Sequence, residues 1–339
     1  MGKEKSKKQD RLKIEELKHY YGIPHCHTNY STGKSSPSEA LEYAKNNKLD
    51  YIIITDHNDY LEDKAYYKSN ITTKWSALEK YIYNFNKKNK SFVALIGFEV
   101  HTHSLGDINV LNSPNYFKGT IKKLDNMLLW FIFNKNCIGG INHPGKEILS
   151  LAYSELLNKY IRYVEIGNGL FPNRYKRYDK LYFSLLDKGW MLAPINSQDN
   201  HKLNYGDSEN LTVALCPELS RKNIIKAFKN LSVYSTESRS LRLSFSINNT
   251  IMGGIISYEE NLNLNFVILA EDKNYKIKEI EIISSCSKII KSIDNLNQER
   301  IRYIYSHRTN LDESYYVVRV YTSSADNKSA VSAPIFIKH

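Results

Sequence analysis

The sequence predicts an α/β fold, a mainly parallel sheet that is open or closed into a barrel, followed by a small all-β, sandwich-like domain. Three observations lead there. From about Tyr21 to Glu237, short apolar runs alternate with helical patterns. Histidines and carboxylates gather where the apolar runs end, which is where chemistry sits in such folds. After about Ser240 the apolar residues switch to a period of two. The expected division is a basic arm over 1–19, an α/β unit over 20–240 and a β-rich unit over 241–339.

Each element has its own signal. Residues 21–27 read as a strand. Ser36-Pro37-Ser38-Glu39 then offers an N-cap, a proline at the first helical position and a capping-box glutamate, and Leu41, Tyr43 and Ala44 continue that helix. Residues 51–55 form a strand, and Trp75, Leu78, Ile82 and Phe85 lie at helical spacing. Strands are expected over 91–100, 108–111, 137–142, 163–166, 191–196 and 212–215, with helices over 125–133, 174–188 and 221–229. In the last hundred residues, Leu241, Leu243, Phe245 and Ile247 alternate with polar residues, as do Leu262, Leu264, Phe266 and Ile268. Runs at 280–283, 315–321 and 334–337 complete a sandwich-like pattern.

Composition bounds the function. A hydrophobic share of 42% with 24% charged residues describes a globular chain, and 339 residues suggest two domains. The net charge of +11 reads as a lysine-rich surface or as attraction of anionic substrates such as phosphate esters. Nucleic acid is disfavoured, because no basic stripe is interleaved with aromatics. Residues 1–18 carry seven Lys or Arg against four acids, a solvated arm or frayed helix. Cys26, Cys137, Cys216 and Cys286 form no CxxC pair and read as free thiols, in keeping with a reducing, cytoplasmic compartment. No signal peptide is visible and no run of 18 apolar residues occurs, so no membrane partner is expected. An oligomer is compatible with the sequence.

The chemistry-bearing residues follow strands. They are His25, His27, His57, His101, His103, His143 and His201, with Asp56, Glu99, Asp107 and Asp199. His25 and His27, two apart, share one face of a strand and make half of a metal site. Thr55-Asp56-His57 ends a very apolar strand, where a buried charge needs compensation, and Glu99 ends another. Asn142-His143-Pro144 and Asp199-Asn200-His201 end two more. One such histidine is ordinary; five strand ends with the same behaviour point to a metal centre. Imidazole with carboxylate suits zinc, manganese or iron, and Glu99 could bridge two ions.

These residues carry a resemblance to the PHP (polymerase and histidinol phosphatase) family. The likeness lies in His25-Cys26-His27-Thr28, Ser31-Thr32-Gly33, Thr55-Asp56-His57, Gly97-Phe98-Glu99, Asn142-His143-Pro144 and Ser197-Gln198-Asp199-Asn200-His201. The carbaryl-hydrolase branch is similar also in Gly106-Asp107-Ile108-Asn109, Val164-Glu165-Ile166-Gly167-Asn168-Gly169 and Tyr234-Ser235-Thr236-Glu237. The resemblance implies a distorted (β/α)7 barrel holding two or three divalent ions. It implies that His25, His27, Glu99 and Asp199 hold the first ion, and that Glu99 bridges to a second held by His143 and one further ligand. That ligand is Asp107, His101 or His103. His57 and His201 belong to a third site or act on the leaving group. Thr32 stands where the family has aspartate, which removes a carboxylate from the third site.

The expected activity is hydrolysis by a metal-bridged hydroxide, most simply of a small anionic phosphate ester. Lys146, Arg174 and Arg177 are candidate phosphate contacts, and Glu99, His57 and His201 the catalytic candidates. The alternatives are a carboxylester, carbamate or amide hydrolase, and a non-catalytic, metal-stabilised binding module.

Overall fold

The computed structural model of the protein describes residues 16–102, 105–121 and 123–338. Most of the basic arm, His103 and Lys122 lie outside the described residues. The first half is laid out as β1 (Lys18–Ile23), α1 (Pro37–Asn46), β2 (Tyr51–Ile54), β3 (Lys64–Tyr67), β4 (Asn70–Thr73), α2 (Lys74–Lys88), β5 (Val93–Val100) and β6 (Ile108–Leu111). Then follow α3 (Leu124–Phe133), β7 (Ile138–Ile141), α4 (Glu155–Asn158), β8 (Ile161–Leu170), β9 (Arg174–Arg177), α5 (Asp179–Asp187), β10 (Ala193–Ser197), β11 (Leu211–Cys216), α6 (Arg221–Lys229) and β12 (Val233–Thr236).

Local chemistry explains the best-defined elements. In α1 the Ser36 side chain accepts from the Glu39 amide, and Glu39 accepts from the Ser36 amide, with Pro37 opening the helix. Such a cap contributes about 1 kcal/mol. In α2, Trp75, Leu78, Ile82 and Phe85 are buried, the stripe that the spacing predicts. Every residue of β5 is buried, and its last turn of sequence carries Glu99. A side chain at Gly97 would meet the Val110 carbonyl oxygen at 2.5 Å, so the close pairing of β5 with β6 requires glycine there.

The sheet runs β10-β8-β7-β6-β5-β2-β1-β11-β12 and is mixed rather than mainly parallel. β1, β2 and β5 pair in parallel, as do β7, β8 and β10, but β6 is antiparallel to both its neighbours. The reason is the short connection over 101–107, which reverses the chain directly instead of crossing over through a helix. The expected helix over 174–188 is also corrected. Residues Arg174–Arg177 form β9, folded back on β8 through a turn over residues 171–173, and the helix begins only at Asp179. Between β2 and α2, β3 and β4 pair antiparallel as a hairpin, an element the sequence reading does not predict.

The last hundred residues form β13 (Arg242–Ile247), β14 (Thr250–Ile251), β15 (Ile255–Ser257), β16 (Asn263–Glu271), β17 (Ile277–Ser284), β18 (Lys288–Ile293), β19 (Arg300–Arg308), β20 (Tyr315–Thr322), β21 (Ser329–Ser332) and β22 (Ile335–Lys338). Leu264, Phe266 and Ile268 point inward from β16 in strict alternation, each contributing roughly 1.5–3 kcal/mol of burial. β14, β13, β16 and β19 make one sheet. The facing strands β21, β20, β17 and β18 extend the first sheet, because β12 pairs with β21. The two regions therefore share one continuous sheet, a feature that alternation within single strands does not encode.

Candidate metal centre

The strand ends bring one group of side chains together. His25 and His27 follow β1, His57 follows β2, Glu99 ends β5, Asp107 precedes β6, His143 follows β7, and Asp199 and His201 follow β10. His25, His27 and Glu99 are buried and form the floor. His57, His143 and Asp199 are 25%, 30% and 24% exposed at the side chain and His201 is 42% exposed, so these form an open mouth. His143 and Asp199 adopt φ of 27° and 47°, an uncommon backbone state for such residues that recurs at functional sites.

The tautomers follow from the partners. His25 Nδ1–H donates to Glu165 at 2.8 Å, since a carboxylate oxygen only accepts. His27 Nδ1 lies 3.3 Å from Ser31 Oγ, which in turn donates to Asp56 at 2.5 Å, so Nδ1–H of His27 donates to Ser31. Both Nε2 atoms are thereby turned inward, and they lie 3.1 Å apart. Asp56 itself is buried and accepts from the Thr28 amide and hydroxyl, which makes it a brace for the 28–31 loop rather than a ligand.

Two imidazoles each face the same two carboxylates. His25 Nε2 is 3.2 Å from Glu99 and 3.4 Å from Asp199 Oδ1. His27 Nε2 is 3.2 Å from each of the same two carboxylates. A tetrahedral ion with bonds of about 2.0–2.1 Å spaces its ligand atoms roughly 3.3 Å apart. Asp199 Oδ1 is buried and receives no hydrogen bond, the orphaned acceptor that a cation would satisfy. The residues thus fit a divalent ion. A second group shares Glu99: His143 Nε2 stands 3.2 Å away, His57 Nδ1 3.4 Å away, and Asp107 Oδ2 is 3.9 Å from His143 Nε2. A third cluster consists of His27, His57 and His201, without Thr32, which is exposed.

Protonation reflects this crowding. Burial disfavours charge on His27 and His143, yet their carboxylate partners outweigh it and push both up to about 9. His25 behaves the same way, against burial, through Glu99, Asp199 and Glu165. Burial opposes ionisation of Glu99, but the imidazoles hold its carboxyl well below the usual range. At His57 burial prevails and lowers the pKa.

Among the open choices for the second group, Asp107 faces the cluster. His101 is 61% exposed and pairs with Asp107 at 2.9 Å, behind it rather than beside Glu99. The same-face argument fails because β5 ends at Val100. His103 lies outside the described residues. Of the cation candidates, Lys146 and Arg174 are exposed. The Arg177 expectation is corrected: its guanidinium is committed to Asp179, Glu237 and Ser329, an ion-pair network joining β9 to the β-rich region.

Sequence reasoning passed over Glu165 as a site residue. Fully buried on β8, it accepts from His25 Nδ1, the His143 amide, Ser197 and Asn168, and so braces a histidine from each group. Its signal was available: an acid inside the apolar run Val164-Glu165-Ile166, as at Glu99. Asn142, which donates to Glu99 at 2.7 Å, was likewise seen only as part of a motif.

One buried carboxylate, Glu99, is thus approached by imidazoles from three strand ends. Residues 24–188 match the PHP domain. Asp199 and His201 lie beyond that stretch, yet they close the same cluster. Among solved structures, a two-domain protein containing a predicted PHP-like metal-dependent phosphoesterase from Bacteroides vulgatus ATCC 8482 is 13% identical. It is covered completely and covers this chain completely, with a TM-score of 0.53, so the two share the two-part fold. A proposed metal-dependent phosphoesterase from Bifidobacterium adolescentis ATCC 15703 is 12% identical over 53% of this chain and 87% of its own, with a TM-score of 0.34. No curated protein matches the sequence.

Proposed function

We propose that this protein is a metal-dependent phosphoesterase acting on small phosphate esters. The observation that carries the reading is the division of the cluster into a buried floor and an open mouth. A structural ion is enclosed by its ligands; here the floor of His25, His27 and Glu99 is sealed while the side bearing His57 and His201 opens to solvent, as a catalytic site requires. His25, His27, Glu99 and Asp199 would hold one ion, and Glu99, His143 and Asp107, with His57 beside them, a second, of zinc, manganese or iron. Such ions acidify a coordinated water and polarise an ester oxygen. His201, whose Nδ1–H donates to the Asp199 carbonyl at 2.9 Å, turns Nε2 outward and is placed to pass a proton to the leaving oxygen. Lys34, whose amide donates to the His201 carbonyl at 3.0 Å, and Lys146, three residues after His143, are exposed and would meet an anionic substrate. The phosphoesterase name of the Bacteroides vulgatus protein supports the same class.

The resemblance to a distorted (β/α)7 barrel is part of this proposal. It is supported by side-chain bonds that draw β10 toward β11 and β12: Asn196 and Thr212 bond mutually, and Asn196 Nδ2 donates to the Thr236 carbonyl at 2.8 Å. The carbaryl-hydrolase branch is the second reading of substrate. The test is release of p-nitrophenol from the phosphate and from the acetate by manganese- or zinc-loaded protein, with Glu99→Ala as blank. Glu99-dependent release from the phosphate alone is expected. Release from the acetate alone overturns the phosphate assignment in favour of carboxylic esters.

A further inference from the structure

The end of the sheet opposite the metal centre carries a groove of about 1150 Å³. Phe92 and Val93, at the start of β5, line it, while Glu99 at the other end of the same strand belongs to the metal centre. Along the strand Glu99 is roughly 20 Å from Val93 and roughly 10 Å from Ile96, the lining residue of β5 nearest to it. The groove has an apolar floor that includes Ile82 and Ile96. Its charged lining consists of Lys87, Lys90, Lys135 and Arg221 against one acid, Glu79.

Beside the groove runs α3, which is apolar almost all round, yet it buries only Met127 and Phe131. Leu129, Ile132 and Phe133 stand 58%, 38% and 85% exposed. Their spacing places them on one side of the helix, and Phe133 also lines the groove. A contiguous exposed apolar stripe of this kind marks an interaction surface. Through Phe133 the stripe adjoins the groove and its four cations, which lie outside α3, so that exposed apolar side chains and lysines meet on one face, as a lipid interface requires.

We propose that this face docks onto an anionic phospholipid surface, with Leu129, Ile132 and Phe133 entering the interface and Lys87, Lys90, Lys135 and Arg221 meeting the headgroups. Charge selects this occupant over a second copy of the chain. In an isologous pair the patch meets itself, which brings two sets of four cations together around the axis. An anionic bilayer neutralises them instead, in keeping with the net charge of +11. The expectation of no membrane partner rested on the absence of a spanning segment, and among the described residues no helix is long and apolar enough to cross. Lying on a surface needs no such helix. Docked this way, the metal centre faces away from the lipid.

The experiment is co-sedimentation of the full chain with vesicles of phosphatidylcholine alone and of phosphatidylcholine mixed with phosphatidylglycerol. Binding to the mixed vesicles only, weakened by salt, is expected. Lys87→Glu/Lys90→Glu and Ile132→Ser/Phe133→Ser should each weaken it by about tenfold or more. Both pairs should keep the parent thermal transition, since all four residues project from the surface of the fold. No binding to mixed vesicles overturns the proposal. So does a concentration-dependent dimer in sedimentation that Ile132→Ser/Phe133→Ser dissociates, because the face then belongs to a second copy.

Discussion

His19 and His25 stand six residues apart, one on β1 and one just past its end, and they meet opposite surroundings. His19 lies against Tyr234, with Nδ1 3.0 Å from the hydroxyl. Burial first, and Arg242 second, push its pKa down to about 4. His25 is buried more completely, yet Glu99, Asp199 and Glu165 overcome that burial and raise its pKa. Burial alone makes a neutral core imidazole; a ligand pocket also needs carboxylates whose charge has no other counterpart.

The sharpest way to break this contrast is to remove the carboxylate that both groups share. Glu99→Ala should lower metal affinity by more than about a hundredfold, beyond the usual cost of losing a residue that only braces a ligand. Metal content after dialysis reads this directly, and retention of two ions per chain would show that Glu99 is no bridge. Glu165→Gln comes next. Glutamine cannot accept from His25, His143, Ser197 and Asn168 together, so affinity should fall by about 10–100-fold while the fold persists. Unchanged metal affinity would make Glu165 a core acid only.

The His19 side of the comparison is tested by pH. Its folded pKa lies below the ordinary value of 6.5, so between about pH 6.5 and pH 4 the unfolded chain takes up a proton that the folded chain refuses. Its contribution is complete above pH 6.5 and is lost as the pH falls toward 4, by up to about 3 kcal/mol. Urea unfolding of His19→Gln against the parent at pH 7 and pH 4.5 should show the stability gap shift in favour of the variant at the lower pH; a gap independent of pH refutes the assignment. The smallest effect is expected at His101. Because it stands behind Asp107, His101→Ala should keep the metal stoichiometry and weaken affinity by less than about tenfold. Loss of one ion would make it a direct ligand.

Much of the centre was legible because its ingredients are local. The capping box of α1 lies within four consecutive residues, and its hydrogen bonds form as read. His25 and His27 share a face because the backbone there is extended, and Glu99 betrays itself as an acid closing an apolar strand. The roles of Arg177 and Glu165 are hidden for the opposite reason. Arg177 finds Glu237 and Ser329 60 and 152 residues away, and Glu165 finds His25 140 residues away, partners that no window of sequence displays. The four residues of β9, three of them cations, carry no clear period, and only pairing with β8 makes them extended.

By itself, then, the sequence determined the kinds of donor atom and the strand ends that carry them, because ligand chemistry and side-chain alternation are properties of adjacent residues. Tertiary structure alone decided that Asp107 rather than His101 faces the cluster, that Glu165 braces both histidine groups, and that one sheet runs through β12 into β21. Those outcomes depend on which strands pair and at what register, and strand pairing is settled by packing between segments far apart in the chain.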